Sequence, residues 1–69
     1  MPYRSNADLP PSVRRHLPSP AQTIYREAFN GAWRQYVEKQ RRDEAICHRI
    51  AWAAVKRRYR KSGEYWVPA

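Results

Sequence analysis

The sequence predicts an all-α, mainly helical domain in which a short N-terminal helix precedes two longer ones, with a small two-stranded β-ribbon formed by the termini. Three observations predict it. All six prolines lie at the ends, Pro2, Pro10, Pro11, Pro18 and Pro20 within the first 20 residues and Pro68 beside the C-terminus, so nothing between Ala21 and Val67 forbids long helices. Within that stretch apolar residues recur at three- and four-residue steps, the period of an amphipathic helix. After Gly63, the run Glu64-Tyr65-Trp66-Val67 is aromatic, β-branched and short, which suits a strand.

Residues 1–7 read as extended chain. Pro11 can occupy the first turn of a short helix over residues 11–16, and Pro18 then drives Leu17 out of the helical region. In Ser19-Pro20-Ala21-Gln22 a serine can cap, a proline suits the first helical position, and a glutamine follows three residues after the cap, so a helix is expected over 20–38. Its apolar face carries Ala21, Ile24, Tyr25, Ala28, Phe29, Ala32 and Tyr36, opposite Thr23, Glu27, Asn30, Arg34 and Glu38. Trp33 and Val37 widen the stripe enough to touch two neighbours, and Gly31, inside the helical pattern, is expected to permit close packing.

The polar run 38–44 is the expected turn. A third helix follows over 43–61, with Asp43 and Glu44 placing negative charge at its N-terminus and Gly63 suited to the left-handed position beyond its end. At 100° per residue, Ile46, Ile50, Ala53 and Ala54 form one apolar face and Trp52, Val55 and Tyr59 a second, with Arg49, Lys56 and Arg60 between them. The same arithmetic puts Arg57 and Lys61 on the Ile46 side, where burial of charge is costly, so the last two turns are expected to overrun the core or fray into solvent. The strand 64–67 needs a partner. Pro2-Tyr3-Arg4 is the remaining extended segment, so the two termini are expected to pair over the Trp52 and Tyr59 face.

The 69 residues make one domain, 1–69, and its 42% hydrophobic and 13% aromatic share is too high for a disordered tail. A net charge of +8 favours polyanionic partners. Cys47 is the single cysteine and cannot form an internal disulfide, which points to a reducing cytoplasm. No apolar stretch is longer than residues 50–55, and the first residues lack the apolar run of a signal peptide, so the expected chain is soluble and cytoplasmic, with no transmembrane segment of its own.

Nine basic and two acidic residues fall between 39 and 61, so nearly all the charge lies in one segment. Lys56, Arg57, Arg58, Arg60 and Lys61 fan around the end of the third helix, Arg41 and Arg42 sit at its other end, and the set spans roughly 25–30 Å. Two readings fit this distribution: a solvated face that keeps a small protein soluble, or a phosphate-seeking footprint for a polyanion. The rings of Trp52, Tyr59, Tyr65 and Trp66 likewise serve either burial or stacking against a partner, and Trp66, close to the terminus, stands evenly between the two. His16, Cys47 and His48 are too few and too scattered for a metal site, because adjacent Cys47 and His48 point about 100° apart on a helix. No serine or cysteine has a base and an orienting carboxylate at a characteristic spacing, and two glycines cannot build a phosphate-cradling loop. Neither an enzyme nor a cofactor is expected.

The stretch 9–33, Leu-Pro-Pro-Ser-Val-Arg-Arg-His-Leu-Pro-Ser-Pro-Ala-Gln-Thr-Ile-Tyr-Arg-Glu-Ala-Phe-Asn-Gly-Ala-Trp, resembles the first half of the ChaB family. Ile50-Ala51-Trp52-Ala53-Ala54-Val55-Lys56, followed by Tyr59, resembles that family's last helix, and Met1-Pro2-Tyr3 resembles its opening. The resemblance implies a three-helix domain with a minor two-stranded element, and a cytoplasmic regulator of a cation/proton antiporter. ChaB-like proteins of some viruses are also described as DNA-associated. The acidic residues usual in the family's turn and tail are largely replaced here by Arg41, Arg42, Arg57, Arg58, Arg60 and Lys61, and Asp43 with Glu44 would make a poor oxygen cage for a cation. The expected function is therefore a regulatory or adaptor domain that offers Arg41, Arg42, Arg49, Lys56, Arg57, Arg58, Arg60, Lys61 and Trp66 to an acidic protein surface, such as that of a membrane cation/proton antiporter. The alternative is a DNA- or RNA-binding protein that sets the basic third helix on phosphates without strong sequence specificity.

Overall fold

A computed structural model of the chain describes residues 3–39 and 43–69. A 3₁₀ turn, Asn6–Asp8, leads to helix α1, Pro11–His16, and then to α2, Ser19–Ala32, which continues as a π-helical segment, Trp33–Glu38. Helix α3, Ala45–Lys56, is followed by strands β1, Tyr59–Ser62, and β2, Tyr65–Pro68. The molecule is thus mainly helical with a small two-stranded antiparallel ribbon, as its proline placement and apolar periods predict.

Each helix buries one line of residues at four-residue steps. Leu9, Val13 and Leu17 run along and beside α1, Ala21, Tyr25 and Phe29 along α2, and Cys47, Ala51 and Val55 along α3, and together with Ala32 they form the core. Phe29 and Val55 are fully buried and contribute about 1.5–3 kcal/mol each by leaving water. Rings extend this core in both directions. Phe29 lies 4.8 Å from Tyr3 and 6.2 Å from Trp33, Tyr25 meets Trp52 edge-on at 5.2 Å, and Trp52 meets Trp66 at 5.5 Å. A chain of rings therefore ties the N-terminal segment, both long helices and the hairpin to one another.

Helix α2 starts at Ser19, one residue early, and Ser19 does not cap it. The carbonyl of Pro18 already accepts the Gln22 N–H at 2.9 Å, so the helix begins a step sooner than the serine cap would have it. Gln22 instead donates its side-chain amide to the carbonyls of Leu17 (2.8 Å) and Arg14 (3.3 Å), satisfying acceptors at the end of α1. Gly31 is not at a close approach, because a Cβ added there would meet nothing within 4 Å.

The third helix is shorter than the expected 43–61 at both ends. Asp43 lies outside it and accepts the Ala45 N–H on Oδ1 at 3.1 Å. At the other end α3 stops at Lys56, where the Arg57 and Arg58 N–H groups close on Ala54 and Val55 carbonyls at 3.3 and 3.0 Å. Continuing the helix would have carried Arg57 and Lys61 onto an apolar face; ending it removes that conflict. Ala53, expected on an apolar face, is exposed.

The ribbon is correct in kind and wrong in its partner. Residues Tyr59–Ser62, assigned above to the third helix, form β1 and pair with β2 in the register Tyr59↔Pro68, Arg60↔Val67, Lys61↔Trp66 and Ser62↔Tyr65. Among the described residues the N-terminal segment pairs with neither strand. Gly63, with φ of 61°, occupies the first position of the two-residue turn Gly63-Glu64, where a left-handed residue matches the twist of a tight hairpin. Tyr3 finds its partner on α2 instead: its N–H donates to Asn30 Oδ1 and its carbonyl accepts from Asn30 Nδ2, both at 2.8 Å. A side-chain amide thus supplies both bonds that a neighbouring strand would have given. Asn6 reinforces the attachment, accepting from Arg26 Nε at 2.8 Å and donating to Thr23 Oγ1 at 3.0 Å. Pro2, the other end of the proposed N-terminal strand, lies outside the described residues.

Candidate functional site

The cations singled out from the sequence gather where α3 hands over to the hairpin. Arg49 stands exposed two turns before the helix end and Lys56 closes the helix. Arg57 and Arg58 form the connection, and Arg60 and Lys61 lie in β1, all of them exposed. Arg41 and Arg42 lie outside the described residues. Among the described residues no carboxylate comes within 4.0 Å of the side-chain nitrogens of these six cations. Their positive potential is therefore directed to solvent.

The helix end divides the group, which the sequence presents as one fan. Arg57 and Arg58 border a groove of about 380 Å³ on the α2 side, together with Ile24, Glu27, Ala28 and Ala54. Lys56 and Lys61 border a cleft of about 330 Å³ on the α1 side, with Ser12, His16, Trp52 and Trp66. In β1 the alternation of a strand separates the rest: Tyr59 and Lys61 share one face with Trp66 and Pro68, while Arg60 shares the other with Tyr65 and Val67. The first face turns inward, as Tyr59 and Trp66 pack on the core.

Trp66 is accordingly half-buried against Trp52, and the ring offered to solvent is its neighbour Tyr65, 65% exposed. Alternation along the strand could have shown this, since consecutive Tyr65 and Trp66 cannot both face inward. Sequence reasoning also missed Ser12 and His16 as neighbours of the basic cluster, because no local signal connects α1 to a hairpin some 45 residues away. His16 Nδ1 lies 2.7 Å from the Ser12 carbonyl. A carbonyl only accepts, so Nδ1 carries the proton and Nε2 is the ring nitrogen left for a ligand.

Other polar groups inside the fold serve packing. Burial pushes the Tyr25 phenol up to about 12, so it stays neutral, with His48 Nδ1 as its hydrogen-bond partner. Burial, reinforced by Glu44, also raises the Cys47 thiol, which keeps that side chain a neutral filler between helices. Among the described residues no three metal-ligating side chains cluster, and no helix is long and apolar enough to cross a membrane.

The arrangement defines a small helical domain with an exposed basic end and an aromatic cleft beside it. Residues 9–69 match the ChaB family model. The protein named "Putative cation transport regulator ChaB" in Escherichia coli strain K12 is 54% identical over 69 residues, covering 93% of this chain and 91% of that protein, and its namesake in Shigella flexneri is equally similar. A solved structure, described as the NMR solution structure of the putative cation transport regulator ChaB, superposes with a TM-score of 0.84 at 49% identity and covers 99% of each chain. The chain belongs to the ChaB family.

Proposed function

We propose that this domain is a non-enzymatic, cytoplasmic regulator of cation transport that acts by binding, presenting its basic end to an acidic surface of a membrane cation/proton antiporter. The observation that carries this reading is the set of exposed cations Arg57, Arg58 and Arg60, none of which has a carboxylate within 4.0 Å among the described residues. The helix end and the tight hairpin fix the backbone that carries these charges, so pairing with a partner costs rotamer freedom of the arginine side chains but no ordering of the chain itself. The names of the family relatives support a regulatory role in cation transport. Tyr65, exposed beside Arg60 on the outer face of the hairpin, supplies an apolar anchor within the same surface.

The test is recovery of the antiporter from detergent-solubilised membranes on the immobilised domain. The domain should retain a cation/proton antiporter, and the variant carrying Arg57→Ala, Arg58→Ala and Arg60→Ala should lose it while melting at the same temperature. Recovery of no transport protein by the parent domain refutes the reading. A duplex-DNA shift at low salt that weakens linearly in log affinity with log salt, and vanishes in the triple variant, would assign the same cations to nucleic acid instead.

A further inference from the structure

We infer that the cleft between α1, the end of α3 and the hairpin binds a nucleoside phosphate, its base against the Trp66 ring and its phosphate between Lys56 and Lys61. The cleft is about 330 Å³, at the lower end of small-molecule sites. Three separate elements build it: Ser12 and His16 come from α1, Trp52 and Lys56 from α3, and Lys61 and Trp66 from the hairpin. None of the six is acidic, so a ligand anion meets two ammonium groups with no opposing carboxylate in the wall. The groove on the other side of α3 differs here, because Glu27 lies in it beside Arg57 and Arg58.

The aromatic part of the wall is packed in place. Trp52 is held edge-on by buried Tyr25 at 5.2 Å, and Trp66 lies against Trp52 at 5.5 Å with their planes tilted by 34°. The two indoles touch each other, which leaves no slot between them; a flat ring would stack on the outer one. A base is such a ring, and stacking of this kind tolerates any base. His16, with Nδ1 committed to the Ser12 carbonyl, offers Nε2 as an acceptor for a ribose hydroxyl. A nucleoside phosphate supplies the flat ring, the hydroxyl and the anion in one molecule. A membrane surface fits less well, since the exposed ring of the hairpin, Tyr65, lies on the opposite face from Lys61 and Trp66. The site shares no residue with Arg57, Arg58 and Arg60, so the inference stands apart from the partner-binding proposal.

Tryptophan fluorescence of the full chain is titrated with AMP, adenosine, inorganic phosphate, a single-stranded oligodeoxyadenylate and phosphatidylglycerol vesicles. AMP should give a saturable change and bind more tightly than adenosine or phosphate alone. Lys61→Ala, in an exposed side chain that the fold does not need, should weaken AMP about 10-fold, the value of one lost charge-assisted contact. The triple arginine variant should bind AMP as the parent does, which separates this site from the partner surface. Tighter binding of the oligomer than of AMP, with the same dependence on Lys61, identifies the source as a nucleic-acid strand; the reverse order identifies a free nucleotide, and either supports the cleft. The inference is overturned by no saturable response to AMP at millimolar concentration, by adenosine binding as tightly as AMP, by an unchanged affinity in Lys61→Ala, or by a response to vesicles alone.

Discussion

Replacing Asn30 by alanine tests how the N-terminal segment is held. The Asn30 amide makes two 2.8 Å hydrogen bonds to the backbone of Tyr3, whose ring lies 4.8 Å from Phe29. Each bond contributes about 0.5–1.5 kcal/mol net, and alanine returns about 0.5 kcal/mol in helix propensity, so Asn30→Ala should cost about 0.5–2.5 kcal/mol. In a domain of this size each kcal/mol moves Tm by about 4–8 °C, and the expected fall is about 2–20 °C by far-ultraviolet circular dichroism. Asn30→Asp keeps the acceptor for the Tyr3 N–H but sets a carboxylate oxygen against the Tyr3 carbonyl, two acceptors face to face, and should cost at least as much as alanine. A melting temperature within about 2 °C of the parent for Asn30→Ala would refute the clamp.

Gly31→Ala should stabilise α2 by about 0.5–1 kcal/mol, because a Cβ there meets nothing within 4 Å and alanine is the better helix former; a lower Tm would show hidden crowding. Gly63→Ala puts a side chain on a residue with φ of 61°, at a cost of about 1–2 kcal/mol, and should loosen the hairpin enough to shift Trp66 emission to the red; an unchanged spectrum and Tm would count against the turn. The buried Tyr25 phenol, pushed up to about 12 from the usual tyrosine value of 10.0, is neutral in the folded state when the unfolded chain already ionises. Its contribution is fully present below pH 10 and is lost as pH rises to about 12, on the order of 2–3 kcal/mol in urea unfolding. Tyr25→Phe should lack that step, and an equally steep loss in the variant would assign it to other groups.

The parts of the fold that local chemistry controls were legible from the sequence. Pro10, Pro11 and Pro18 bracket α1 by sterics that no tertiary contact can override, and the period from Ala21 to Phe29 fixes which face of α2 is buried. The C-terminal third was harder to read because two structures suit the same residues. Lys56 to Lys61 continues a helix by propensity, while Tyr59 and Lys61 alternate with Arg60 and Ser62 as a strand requires. The choice between them is made by Trp66 closing over Trp52, a contact between elements. Gly63 serves a helix cap and a hairpin turn through the same left-handed conformation, so its identity could not decide the matter. The site inherits that ambiguity. Which residues are cationic was plain from composition, but which of them share a face depended on where α3 ends, and so Lys56 and Lys61 are separated from Arg57 and Arg58 only in three dimensions.

Cation/proton exchange in everted membrane vesicles, measured with the purified domain added at the cytoplasmic face, tests the regulatory role at its point of action. The parent domain should change the initial exchange rate, and the Arg57→Ala, Arg58→Ala, Arg60→Ala variant, with an unaltered Tm, should leave the rate as it is without protein. An exchange rate that the parent domain does not alter, or that the triple variant alters just as much, would contradict a regulator working through the basic end of α3.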